Sequence, residues 1–219
     1  MKARLAIAAS ALALSFAAVG AANATTVVSD LTVNGASGGL NTSAPYGTVT
    51  VDDTGGSLAF TVDLLGGLVF RNAPDSNHWS FGFDLNVATG SIGSITDNGT
   101  GTFTAQPGSH NFSPFGSFDY VLECNSCSTG YNANSPTQLK FVVTAPTTLT
   151  VNSIVANGSG NYFAADVSDT RGSTGNVGSK GFKTPGVPEP ATWALMLMGF
   201  GGLGAALRTQ RRHRVALAA

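Results

Sequence analysis

Cys124-Asn125-Ser126-Cys127 is the most chemically specific local pattern in the chain, since two cysteines at this spacing can form a disulfide, shuttle electrons or begin a metal site. They are the only cysteines present, and a disulfide across a tight turn is the expectation once the chain is read as exported. A redox-active pair needs its first cysteine at a helix N-terminus, whereas this one follows the strand-like run FGSFDYVLE. Zinc would need two further ligands, for which only His78 and His110 are on offer between the two ends of the chain, the third histidine, His213, lying in the arginine-rich end. The acids nearest aromatic residues are Asp84, Asp119, Glu123 and Asp166, and two of these facing one sugar ring would be glycosidase chemistry. No GxSxG elbow or other nucleophile context accompanies either histidine, so the expected class is non-enzymatic. No cofactor or metal is expected: calcium could be held through Asp52-Asp53 or through Asp166 with Asp169, but no loop has EF-hand or RTX spacing. Trp79, Tyr46, Tyr120, Tyr131 and Tyr162 could offer flat faces to sugars, with Trp79 expected on the buried side of its strand.

The elements that must position these residues read as strands. Alternating runs recur between turn residues: TVVSDLTV, YGTVTVDD, SLAFTVDLL, HWSFGFDLNV, GTFTAQ, FGSFDYVLE, QLKFVVTA, TLTVNSIV and YFAADVS. In HWSFGFDLNV the side chains of Trp79, Phe81, Phe83, Leu85 and Val87 fall on one side, and those of His78, Ser80, Asp84 and Asn86 on the other. Asp53-Thr54-Gly55-Gly56, Asp97-Asn98-Gly99 and Ala145-Pro146-Thr147 supply turn chemistry between them. About eight to ten strands at this spacing predict an all-β domain, an antiparallel β-sandwich of jelly-roll type, over residues 25–169. Residues 170–187, rich in Gly, Ser and Thr, read as a flexible linker.

Charge narrows the partners. Residues 25–187 carry five basic against eleven acidic side chains, a formal charge of −6, which disfavours nucleic acid because phosphates need basic groups to neutralise them. The remaining basic residues lie at the two ends. At the start, Lys2 and Arg4 precede an apolar stretch from Leu5 to Val19 that closes in Ala22-Asn23-Ala24. That is the layout of a secretory signal peptide, residues 1–24, with cleavage between Ala24 and Thr25 and with the Sec machinery and signal peptidase as partners.

At the other end, Pro188-Glu189-Pro190 precedes an uncharged stretch from Ala191 to Leu207, and Arg208, Arg211, Arg212 and Arg214 follow. As a helix at about 1.5 Å per residue, 191–207 would reach about 25 Å, the lower edge of a membrane span. The arginines then mark its cytoplasmic side. Gly199, Gly201, Gly202 and Gly204 are small residues of the kind that let helices pack closely.

The triad, the apolar stretch and the arginine-rich end together resemble the PEP-CTERM sorting signal of Gram-negative bacteria that make exopolysaccharide. The resemblance covers 188–214, and residues 215–219 run beyond it. It implies recognition by an exosortase, an integral-membrane protease or transpeptidase. It also implies transient anchoring in the inner membrane, then a destination at the cell surface or in the extracellular matrix. For the domain itself the expectation is a structural or adhesive role in exopolysaccharide or biofilm; the alternatives are a carbohydrate-binding module and a secreted glycoside hydrolase.

Overall fold

A computed structural model describes residues 24–35, 39–72 and 79–183, together with Met198 and Phe200. Most of the expected signal peptide 1–24, His78, the Pro188-Glu189-Pro190 triad, the expected span 191–207 apart from Met198 and Phe200, and the four terminal arginines lie outside the described residues. Among those described, no helix is long and apolar enough to cross a membrane.

In chain order the strands are β1 Thr26–Leu31, β2 Val33–Asn34, β3 Gly47–Thr54, β4 Ser57–Leu64, β5 Val69–Phe70, β6 Phe81–Leu85, β7 Ser91–Asp97, β8 Phe103–Asn111, β9 Ser117–Cys124, β10 Gln138–Thr144, β11 Ile154–Val155, β12 Phe163–Ser168 and β13 Thr174–Ser179. They form two antiparallel sheets. One has the order β1-β3-β4-β10-β7; the other runs β2-β13-β12-β6-β9-β8, with β11 paired to β6 and β5 to β12. This division into five and eight departs from the eight-stranded jelly roll.

The first sheet obeys the period-two rule closely. In β4, Leu58, Phe60, Val62 and Leu64 are buried while the residues between them are half-exposed, and β10 alternates in the same way. Their apolar face meets Phe81, Phe83 and Phe163 of the second sheet. Phe60 lies 4.8 Å from Phe83 and 4.7 Å from Phe141 between ring centroids, so the core is a stack of phenylalanines between two sheets.

The second sheet is buried on both faces where a second cluster covers its outside. Phe112, Phe115, Phe118 and Val121 pack there with Ala164. Glycines make room for the rings: a Cβ at Gly178 would stand 2.8 Å from Phe115, and one at Gly82 would stand 3.0 Å from Phe118. Trp79 packs with this outer cluster and lies 4.3 Å from the His110 ring. It therefore departs from the side expected of it, because regular pairing of β6 begins only at Phe81 and the chain bends at Ser80.

The expected linker 170–187 differs from the structure over most of its length. Thr174–Ser179 is β13, paired along its full length with β12 and at Val177–Gly178 with β2. Its poverty in large side chains is what the site demands, since Val177 fills the core and Gly178 lies under the Phe115 ring. Further on, the Lys183 N–H donates to the Val28 carbonyl at 2.6 Å and its ammonium pairs with Asp30.

Candidate functional site

Both ends of the domain meet at β1. Ala24 and Thr25 are exposed, the Thr25 N–H donates to Asp53 Oδ1 at 2.7 Å, and Thr26 begins the strand. Lys183 bridges to Val28 of the same strand. Only residues 184–187 separate Lys183 from Pro188, a reach of at most about 18 Å fully extended. Of the flexible linker expected over 170–187, at most these four residues are left between the described domain and the Pro-Glu-Pro triad.

Cys124 and Cys127 form a disulfide with Cα atoms 5.4 Å apart. It closes the turn after β9 with Cys124 fully buried, and the Cys124 N–H donates to Ser80 Oγ at 2.9 Å. No helix begins at this pair, so the dipole that would lower a thiol pKa is missing from the site. Its place in the core cluster is that of a staple.

The candidate acids separate into different roles. Asp166 is buried and its carboxylate lies 3.3 Å from Arg71 Nε, an interior ion pair. Glu123 Oε2 accepts from Gln106 Nε2 at 3.5 Å. Asp52 accepts from the Thr26 hydroxyl, and Asp53 accepts from the backbone of Thr25 and Val151. Among the described residues no group of three His, Cys, Asp or Glu side chains is placed to hold a metal ion.

Asp169 caps the β12–β13 turn. Its Oδ1 accepts from the backbone N–H groups of Arg171 and Ser173, each at 2.9 Å, and its Oδ2 accepts from that of Asn41 at 2.7 Å. Burial pushes its pKa up, but these three donors and the Arg171 charge outweigh that and hold it below the ordinary 3.8. A depressed native pKa stabilises the fold above the unfolded value and loses that contribution as pH falls through the native one. Asp169→Ala is expected to cost about 2–3 kcal/mol at neutral pH by stranding these donors. In urea titrations the gap from wild type should narrow as pH falls below about 4. A gap that stays constant down to strong acid would contradict this role for the carboxylate.

Asp84 and Asp119 are the two acids that the sheet brings together. They are cross-strand neighbours on β6 and β9, and the Asp119 N–H donates to Asp84 Oδ1 at 2.6 Å. Burial raises the Asp84 pKa above 3.8, opposed by that hydrogen bond and reinforced by the Asp119 charge. Tyr120 follows on β9, its ring stacked 5.3 Å from Phe83 and its hydroxyl donating to the Val87 carbonyl at 3.2 Å. Its pKa is raised, by burial first, against the backbone of Gly90 and with help from the Asp119 and Asp84 charges.

Asp119 and Tyr120 line a cleft of about 510 Å³ between the β6–β7 loop and the edge strand β8. A bulge opens it. Pro107 has no N–H to give the ladder, Gly108 takes φ 98°, and the β8–β9 register shifts between Pro107 and His110. Ser109 and Gln106 thereby join Thr89, Ser91, Asp119 and Tyr120 around one space. Sequence reasoning singled out Asp119 and Tyr120 and missed Gln106 and Ser109; the available signal was Pro107-Gly108 inside an otherwise strand-like run. Of the other tyrosines, Tyr46 is buried, Tyr162 packs edge-on to Phe182, and Tyr131 is exposed away from this cleft.

No curated protein and no solved structure matches the chain. A family model does match residues 186–212, as the PEP-CTERM protein-sorting motif. The match begins three positions after Lys183, which pairs with Val28. The chain thus carries a PEP-CTERM protein-sorting motif, consistent with an exosortase substrate that is exported and sorted to the cell surface.

Proposed function

We propose that the domain ending at Lys183 is a structural or adhesive component of the exopolysaccharide or biofilm matrix, delivered there by removal of its C-terminal tail. The observation that carries this reading is the sorting motif at 186–212, placed directly behind a disulfide-stapled β domain. The −6 charge fits a partner other than nucleic acid, and polysaccharide is the partner such a destination offers. On this reading the stretch 191–207 anchors the chain in the inner membrane until an exosortase-type enzyme acts, after signal peptidase has cut between Ala24 and Thr25.

Carbohydrate binding is the second reading, favoured by the polar cleft beside Tyr120. A hydrolase has less support. Asp84 is held by a backbone N–H and does not line the cleft, which leaves Asp119 as its single acid where a glycosidase needs two. The test is deletion of the gene in the producing cells, with matrix cohesion measured under shear. Loss of cohesion, restored by the full-length chain, is expected; unchanged cohesion would count against the proposal.

A further inference from the structure

We infer that the cleft between the β6–β7 loop and the bulge of β8 binds a neutral saccharide, and that it discriminates against saccharides bearing carboxylates. The inference rests on the matrix reading above and names the ligand class of this domain.

The lining specifies the chemistry. Thr89, Ser91 and Ser109 bring hydroxyls, Gln106 an amide and Asp119 an exposed carboxylate. Thr89, Ser91, Ser109 and Asp119 are exposed, and among the described residues their side chains make no hydrogen bond to protein, which leaves these donors and acceptors available to a ligand. Between them Val87, Ile92 and Ala105 supply apolar surface. This mixture matches a pyranose, which has C–H faces and a rim of hydroxyls. A carboxylate such as Asp119 accepts from two neighbouring sugar hydroxyls through charge-assisted bonds, the stronger kind.

Charge supplies the discrimination. Among the described residues the cleft is lined by no Lys, Arg or His, and its one carboxylate is that of Asp119. A phosphate or uronate would therefore enter without a counter-charge and against Asp119.

Size and rigidity agree with this. About 510 Å³ falls inside the usual span of about 300–1,000 Å³ for small-ligand sites, room for roughly one or two sugar rings. Its walls are held by the sheet. Tyr120 is wedged between Phe83 and Gly90, where a Cβ would lie 3.0 Å from the tyrosine ring and hydroxyl, and the Asp119 backbone is tied to Asp84. A site that is already formed loses less on binding.

The experiment is calorimetric titration of the purified full-length chain with gluco-, galacto- and manno-oligosaccharides, with oligogalacturonate as the charged comparison. At least one neutral oligosaccharide is expected to bind and oligogalacturonate is not. Ser109→Trp, a change at an exposed position that fills the cleft, should weaken binding at least about tenfold, and Asp119→Ala by about tenfold. Thr89→Trp fills the cleft from the opposite wall and serves if Ser109→Trp lowers the melting temperature. The inference is overturned if no neutral oligosaccharide binds, if a well-folded cleft-filling variant binds like wild type, or if oligogalacturonate binds as tightly as the neutral sugars. Cells carrying Ser109→Trp in place of wild type separate the two levels of the proposal. Absence of saccharide binding together with weakened cohesion on gene deletion would remove the cleft and leave the matrix role, whereas binding without any cohesion phenotype would do the reverse.

Discussion

Replacing Phe60 with alanine is expected to remove about 3–5 kcal/mol from the stability of the domain, the range for deleting a buried aromatic ring. Phe60 is 1% exposed at the middle of β4. Its ring lies parallel to Phe141 at 4.7 Å on the neighbouring strand, tilted against Phe83 at 4.8 Å across the sandwich, and edge-on to Phe163 at 6.3 Å. The alanine would lose the transfer free energy of the ring and leave a void that rigid sheets on either side collapse into only partly. Since domains of this size are stable by about 5–15 kcal/mol, such a loss brings the chain near unfolding. Phe60→Leu, which keeps most of the volume, should recover more than half of it. Equilibrium urea denaturation checks both variants, and a loss below about 1 kcal/mol for the alanine would mean that the phenylalanine stack does not organise the core.

A chain ending at Asp169 is expected not to fold, and one ending at Lys183 to fold like the whole domain. Every residue of β12 is buried, and β13 pairs with all of them from Phe163 to Ser168. Ending the chain at Asp169 strips one side of this strand of its hydrogen-bond partners and leaves β2 without the strand it pairs to. It also uncovers the Phe115 ring above Gly178. Net hydrogen-bond contributions of about 1 kcal/mol each, added to the unsatisfied groups left behind and the lost burial, exceed the stability that a domain of this kind holds in reserve. Near-UV circular dichroism and protease resistance of chains 25–169 and 25–183 would show the difference. Native-like behaviour of the shorter chain would overturn the assignment of β13 as an integral strand.

The contrast between those two residue ranges shows what sequence can and cannot carry. β3, β4, β10 and β12 were legible because their apolar residues recur in strand-like runs bounded by turns, as in Leu58, Phe60, Val62 and Leu64. β7 was not, because Ile92 and Ile95 are three apart and reach the core only through a register shift opposite Lys140 and Val142. β13 was hidden for a different reason. It is covered by a ring from a distant loop, so its own residues are small, and small residues read as linker. Trp79 falls on the face opposite to the one its alternation predicts, because strand periodicity does not carry across the bend at Ser80 that precedes β6. The disulfide was legible from two cysteines in an exported chain, and the Asp84–Asp119 neighbourhood was not, since cross-strand pairing is a property of the register. The cleft was partly legible, through Pro107-Gly108, but nothing local announces that the β6–β7 loop closes its other side.

Delivery joins these features. β1 starts at Thr26, next to the expected cleavage point after Ala24, and Lys183, the last residue described before the sorting motif at 186–212, pairs back to it, so that both expected processing events would fall outside these strands. The most direct test is intact-mass and terminal-peptide mass spectrometry of the protein isolated from the cells that produce it. The expected mature chain starts at Thr25 and ends near Glu189 or Pro190, retaining Lys183 and lacking the arginine-rich end. A mature protein that still carries Ala219 at its C-terminus would contradict removal of the tail, and with it the reading of this chain as an exosortase-processed surface protein.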